Sequence, residues 1–250
     1  MNYKLRTKHG LTLTEMVVVV SIVAVFTVLG LPAIRAFIRS VESEGGAKAM
    51  ISASLASGRA IAAKEQHYAG IRFQNKYQED GKGCQYMIFI INDTEIGPGK
   101  AGNLGCRAVE GVEPIKLPDS VGVMDLRKNY NEEVRDVISE ADFNDTTTFS
   151  ILFSPSGKLV IHKLWVRNRD NANDSSSKDD IFNTETNIRD NKIGMFLQDE
   201  SSDIEPSRNS FIIYDKTIFE KVDKNRRYND YLRDLEVVYI NPYTGTMIEK

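Results

Sequence analysis

The 250 residues include only two cysteines and three histidines. Two thiols without nearby histidines cannot complete four zinc ligands, so a structural zinc site is excluded. Charge of one sign is not in excess either. Lys+Arg 32 stand against Asp+Glu 35, a formal charge of -3, and that balance disfavours a basic nucleic-acid module. A phosphate-binding loop is missing, because the glycine-rich stretch GPGKAGNLG at 97–105 lacks the Gly-Lys-Ser/Thr ending. There is also no Gly-x-Ser-x-Gly elbow. Ser154, Ser156, Asp199 and Asp203 stand at no ordered spacing from His67 or His162, and the chain is read as a non-enzyme with no cofactor. A hydrophobic content of 41% and a mean hydropathy of -0.33 fit an ordinary globular body, neither disordered nor a polytopic membrane protein. Long apolar runs are absent, with one exception.

The exception is MVVVVSIVAVFTVLGLPAI at 16–34, which carries no charge. As a helix, a run of this length extends roughly 29 Å, close to the hydrocarbon thickness of about 30 Å, and predicts a single transmembrane segment at about 15–36. Upstream, MNYKLRTKHG holds Lys4, Arg6 and Lys8 and no acid, which predicts a cytoplasmic N-terminus. No small-residue cleavage pattern of the ordinary secretory kind follows the run. Glu15 stands at the head of the run. It can serve simply as an acid at a helix N-terminus, but a carboxylate among packed apolar helices also selects one axial register, as a polar residue does in a coiled coil.

The order basic leader, Gly10, Leu11, Thr12, Leu13, Thr14, Glu15, Val-rich helix and Pro32 resembles the N-terminal signal of type IV prepilins and type II secretion pseudopilins. The resemblance implies a leader 1–10 cut after Gly10 by a prepilin peptidase and a methylated amine on Leu11. It further implies that Glu15 faces a terminal amine during assembly and that Pro32 occupies the proline position of many pilin helices. Leu11 departs from the Phe or Met more usual in the family. The stretches ASLASGRAIAAKEQHYAGIRF and FSPSGKLVI are similar to the GspH/FimT group of minor subunits. That group implies a pilin-like α+β fold: a long N-terminal helix over 11–67, transmembrane in its first half, packed on a C-terminal antiparallel β-sandwich or sheet domain over 68–250. The implied location is the inner membrane, single-pass, with the body in the periplasm. The implied partners are the peptidase, other pilin or pseudopilin subunits, an inner-membrane assembly platform and secreted protein cargo. Some FimT-like pilins assist DNA uptake through C-terminal basic residues. Here Lys221, Lys224, Arg226, Arg227 and Arg233 alternate with Glu220, Asp223, Asp230, Asp234 and Glu236, and without unbalanced positive charge nucleic-acid binding is disfavoured.

Beyond Pro32, Ile34, Phe37, Ile38, Val41, Ala49, Ala53, Ala56, Ala60 and Ala63 recur at helical steps and predict an amphipathic helix packing through small residues, with Pro32 and Gly45-Gly46 as weak points. After Gly70 the period changes to two. Strands are predicted at 71–74, 86–91, 148–153 and 158–166, with further ones near 112–117, 193–197, 210–214 and 236–240. The turn Ser154-Pro155-Ser156-Gly157 predicts a tight hairpin, and the spacing of Ile218, Phe219, Val222, Tyr231 and Leu235 predicts a late helix at 216–234. The polar stretch 168–191 reads as a mobile loop. Its acids Asp170, Asp174, Asp179 and Asp180, with Asn173, fail the calcium-loop template because Ser175 replaces the required Gly and Ile181 the closing Glu. Cys84 and Cys106 are 22 positions apart. In an oxidising compartment a disulfide is open to them, and two reduced buried thiols are the alternative.

Overall fold

The computed structural model describes residues 13–23, 26, 44–79, 83–94, 104–125, 146–172, 174–199, 205–224 and 226–248. The chain divides into two compact units, residues 1–41 and 42–250. In the first, residues 13–23 are helical, a run of about 17 Å. Its apolar side chains are exposed, Leu13 at 82% and Val20 at 63% among them. Ser21 satisfies its hydroxyl within the helix by donating to the Val17 carbonyl at 2.8 Å.

The second unit opens with helix α1, Glu44–Glu65. Ala47, Ile51, Leu55, Gly58 and Ala62, three or four residues apart, form its buried face. Strand β1, Ala69–Asn75, lies beneath it. The two backbones approach closely where Gly58 meets Gly70: a Cβ on Gly58 would stand 3.2 Å from the Gly70 main chain, and one on Gly70 would stand 1.9 Å from the Ile151 carbonyl oxygen. Gly70 has no room for a side chain because β6 lies against it, and a side chain on Gly58 would push helix and strand apart by a few tenths of an ångström.

Strands β2, Gln85–Asn92, β3, Leu104–Ala108, β4, Ile115–Lys116, β5, Val121–Met124, β6, Phe149–Phe153, β7, Leu159–Val160, and β8, Lys163–Val166, follow. Then come β9, Phe182–Asn183, β10, Phe196–Leu197, β11, Glu205–Pro206, β12, Ser210–Asp215, β13, Val237–Ile240, and β14, Met247–Ile248. The large sheet has the order β11-β8-β3-β2-β1-β6-β7, with β4 also pairing β2. All its pairings are antiparallel except β3 with β8, which is parallel. A smaller antiparallel sheet has the order β14-β13-β12-β5, and β9 pairs β10 in parallel.

Register assigns the two faces of the large sheet. Ile71 lies opposite both Phe89 and Ile151, so these residues share a face with Phe73, Met87, Phe149 and Phe153. That face packs with α1 and with Val121, Val123, Phe211, Ile213, Val238 and Ile240 of the smaller sheet. Phe73 stacks on Phe149 with ring centroids 4.9 Å apart. The alternate residues Ile88, Ile90 and Leu152 point the other way and are covered by Ile181, Phe182 and Phe196. One side-chain amide joins the sheets: Gln85 Nε2 donates to the Val123 and Thr147 carbonyls at 2.7 and 2.8 Å, and Gln85 Oε1 accepts from the Val123 N–H at 2.8 Å.

Several predicted strands are present, and the tight hairpin joins β6 to β7 with Gly157 at φ +73° donating to the Ser154 carbonyl at 2.8 Å. The predicted strand 158–166 breaks after Val160. Its second part leaves β6 and pairs with β3 and β11, and Ser207 bridges the break by donating to the Val160 carbonyl and accepting from the His162 N–H. The late helix is three pieces: α2, Lys216–Lys221, capped by Asp215; α3, Arg227–Asp230; and a 3-10 turn, Leu232–Asp234.

The architecture expected from the resemblance is corrected. The described helical residues do not form one long helix over 11–67, α1 being confined to Glu44–Glu65 with Gly45 and Gly46 inside its first turn. Among the described residues no helix is long and apolar enough to cross a membrane. This overturns the transmembrane first half, the inner-membrane single-pass location and the pilin-like helix-on-sheet fold. The body is β-rich around a mixed sheet, not a purely antiparallel sandwich. Pro32 and most of 24–43 lie outside the described residues. The alanine stripe is corrected as well: Ala49, Ala53, Ala56, Ala60 and Ala63 are exposed, because the larger Ile51 and Leu55 decide which face turns inward.

Candidate functional site

The residues singled out from sequence fall in separate places. Gly10 and Leu11 lie outside the described residues. Glu15 sits on the helical residues 13–23, which expose Met16, Val18, Val19, Ile22 and Val23 around it. A helix apolar on every side cannot be stable with all of that surface in water, and it calls for another apolar surface against it. A single carboxylate in such a segment supplies a directional contact within an otherwise non-directional one.

Cys84 and Cys106 are free thiols. Cys106 lies opposite Asn92 at one end of β2, while Cys84 precedes Gln85 at the other end. Eight strand steps, roughly 26 Å, separate Cys84 from Asn92, so the sequence spacing does not bring the thiols together and the disulfide is corrected to two separate cysteines. Cys84 is half-buried and its thiol donates to Asp119 Oδ1 at 3.4 Å, an oxygen that also accepts from Lys116 Nζ at 2.7 Å. Cys106 is fully buried in the second core, and burial pushes its thiol up to about 12.

Near Cys106 lies a polar network that the period-two pattern conceals. Arg72 alternates with Ile71 and Phe73 and reads as a solvent-facing residue, yet it is 5% exposed. Its Nη2 donates to Asp199 Oδ1 at 2.7 Å and its Nε to Gln74 Oε1 at 2.7 Å. Asp199 Oδ2 accepts from the Val166 N–H at 2.9 Å, and Gln74 Nε2 donates to the Leu197 carbonyl at 2.8 Å. The network ties β1 to β8 and to the chain after β10. The signal for it is the uninterrupted apolar run of β2, which requires cover on both faces of the sheet and so buries the alternate residues of β1 too.

The same cover corrects the reading of 168–191 as a mobile loop. Asn168, Ser177, Asp179, Asn183 and Asn187 are buried there. Asp179 accepts from the Arg169 guanidinium at 2.8 Å, the Arg169 N–H at 2.7 Å and the Ile181 N–H at 2.9 Å. Asn187 Nδ2 donates to Asn183 Oδ1 and to the Asp174 carbonyl, each at 2.8 Å, at the start of a π-helix over Asn187–Asn191. The remaining acids turn to different donors: Asp170 caps the Lys178 N–H, Asp174 caps Ser176 and Asp180 meets Arg169. Among the described residues no group of three or more His, Cys, Asp or Glu side chains can hold a metal ion.

The chain matches no protein-family model, no curated protein and no solved structure. Its functional reading therefore stands on its own residues. Asp199 is engaged with Arg72, Ser154 and Ser156 bond each other at 2.9 Å in the β6–β7 turn, and the half-buried His162 packs edge-on against Tyr68; no nucleophile and base come together in these contacts. In the basic cluster, Arg226 pairs with Asp230 at 3.0 Å, Arg233 faces Asp234 at 3.6 Å and Arg227 lies over the Phe219 ring at 4.3 Å. Acids and an aromatic ring take up much of that cluster's positive charge.

Proposed function

We propose that the chain is a subunit of the minor pilin or pseudopilin kind, trimmed between Gly10 and Leu11 by a prepilin peptidase and joined to other subunits through its N-terminal helical segment in a secretion pseudopilus or a type IV pilus. The observation that carries this reading is an exposed helix, apolar on all sides, with one carboxylate at its head: Glu15 beside Met16, Val18 and Val19. Surface of that kind gains stability only by association, and equivalent segments of neighbouring subunits provide a matching surface. The support comes from the first part of the chain. The body contributes a folded domain of its own architecture.

Intact-mass and N-terminal sequencing of the native protein test the processing step. A product beginning at Leu11 with one methyl group upholds it, and a product beginning at Met1 refutes it. Glu15→Val is expected to leave the body folded and to remove the chain from filaments recovered with its partner subunits. Normal incorporation of that variant would refute the role given to the carboxylate.

A further inference from the structure

One face of α1 meets two hairpin turns at Arg59. Its Nε donates to the Gly157 carbonyl at 2.8 Å and its Nη1 to the Thr244 carbonyl at 2.9 Å, so the guanidinium clips the β6–β7 turn to the β13–β14 turn. The backbone is shaped for this contact. Gly157 and Gly245 have φ of +73° and +71°, and a Cβ on Gly157 would stand 3.0 Å from Arg59 Nε. Above the clip lies an open groove of about 260 Å³. Exposed Ala56 and Ala60 line the helix side, Ser156 one turn, and Thr244 and Thr246 the other.

The electrostatics of this groove are one-sided. A guanidinium has five N–H donors, and the two bonds to carbonyls leave its positive charge in place. No acidic residue lines the groove, and no carboxylate pairs with Arg59 among the described residues. Two hydroxyl pairs reach its wall: Ser156, bonded to Ser154 behind it at 2.9 Å, and Thr244 with Thr246 at 2.8 Å. Within each pair one hydroxyl donates to the other, so one proton per pair remains to be given to a ligand. A fixed cation ringed by hydroxyl donors, with small side chains leaving room above it, suits a planar anionic group.

We propose that this groove is a carboxylate-binding site centred on Arg59, sized for the acidic side chain of a polypeptide or for a small dicarboxylate. Arg59 supplies the charge, and the two turns hold it in place before any ligand arrives, which removes the ordering cost that a free arginine would carry. The site is independent of the filament reading.

Calorimetric titration of the full chain with glutarate, with a short glutamate-rich peptide and with inorganic phosphate tests the assignment. Binding of either carboxylate ligand is expected, and the two arms separate a metabolite from a polypeptide source. Arg59→Met is expected to abolish binding. Because that change also removes the clip, Ala60→Glu provides the second variant: it places an acid in the groove from an exposed helix position, and is expected to weaken binding about tenfold with an unchanged Tm. Absence of binding by both carboxylates, equal affinity in Ala60→Glu, or phosphate bound in preference would overturn the proposal.

Discussion

The most apolar stretch of the chain and one of its most polar stretches have exchanged the places that hydropathy assigns them. Residues 13–23 expose valine after valine, whereas 168–191, rich in Asn, Asp and Ser, buries Asn168, Asp179, Asn183 and Asn187. Burial of the second stretch follows from position. It lies between Val166 and Phe196, both part of the second core, and its own Ile181 and Phe182 are drawn under the large sheet. Polar groups carried along with them are tolerated because Asp179, Asn183 and Asn187 find partners within the segment and Asn168 Nδ2 donates to the Ala172 carbonyl. The apolar run has no equivalent cover within its own unit among the described residues. Average polarity, then, reports solubility of a segment, while its flanking anchors report whether it folds.

The largest effect that could break this comparison is expected at Asp179. Its carboxylate is fully buried and accepts from Arg169 and two main-chain N–H groups, so Asp179→Ala should cost about 2 to 4 kcal/mol by leaving two main-chain donors without their acceptor, while Arg169, partly exposed, keeps Asp180. Denaturant titration measures it, and a cost below about 1 kcal/mol would mean that the segment is loosely attached.

Cys106 gives an intermediate test, since it sits in the core that Ile181 and Phe182 close. With the segment in place an alkylating reagent should modify Cys84 and spare Cys106 under native conditions. The thiol also gives a pH signature. Its folded value, about 12, lies above the ordinary 9, so above pH 9 the unfolded chain releases a proton that the folded chain retains. The stabilisation is complete below pH 9 and is lost as pH rises through 12. Cys106→Ala should flatten that decline, and an unchanged slope would contradict the burial.

The smallest effect is expected in the apolar run. Val19→Thr should change the unfolding free energy of the body by less than about 0.5 kcal/mol, because an exposed side chain has little packing to lose. A larger loss would show that the run is covered within the chain.

Much of the β architecture was legible before the structure. The alternation Ile71, Phe73 and the continuous run at 86–91 predicted β1 and β2 as strands, though not their place in the large sheet, and the Ser-Pro-Ser-Gly turn marked its hairpin. Strand β3 was hidden by the glycines around it: Leu104-Gly105-Cys106-Arg107-Ala108 has low intrinsic strand preference and is held by pairing with β2 and β8. The inward face of α1 was misread because alanines recur at helical spacing on its outer face, where they cost little exposed or buried. Arg59 escaped notice for a related reason. Its two partners are 98 and 185 positions away, and no local pattern announces a contact of that range.

Gln85 has a consequence for how the molecule could be lengthened by another chain. By occupying both main-chain groups of Val123, its amide acts as a one-residue extra strand and seals β5, while Pro206 blunts the end of the larger sheet at β11. A strand added at β5 would first have to displace this amide from Val123, a barrier that the opposite border of the smaller sheet, β14, does not share.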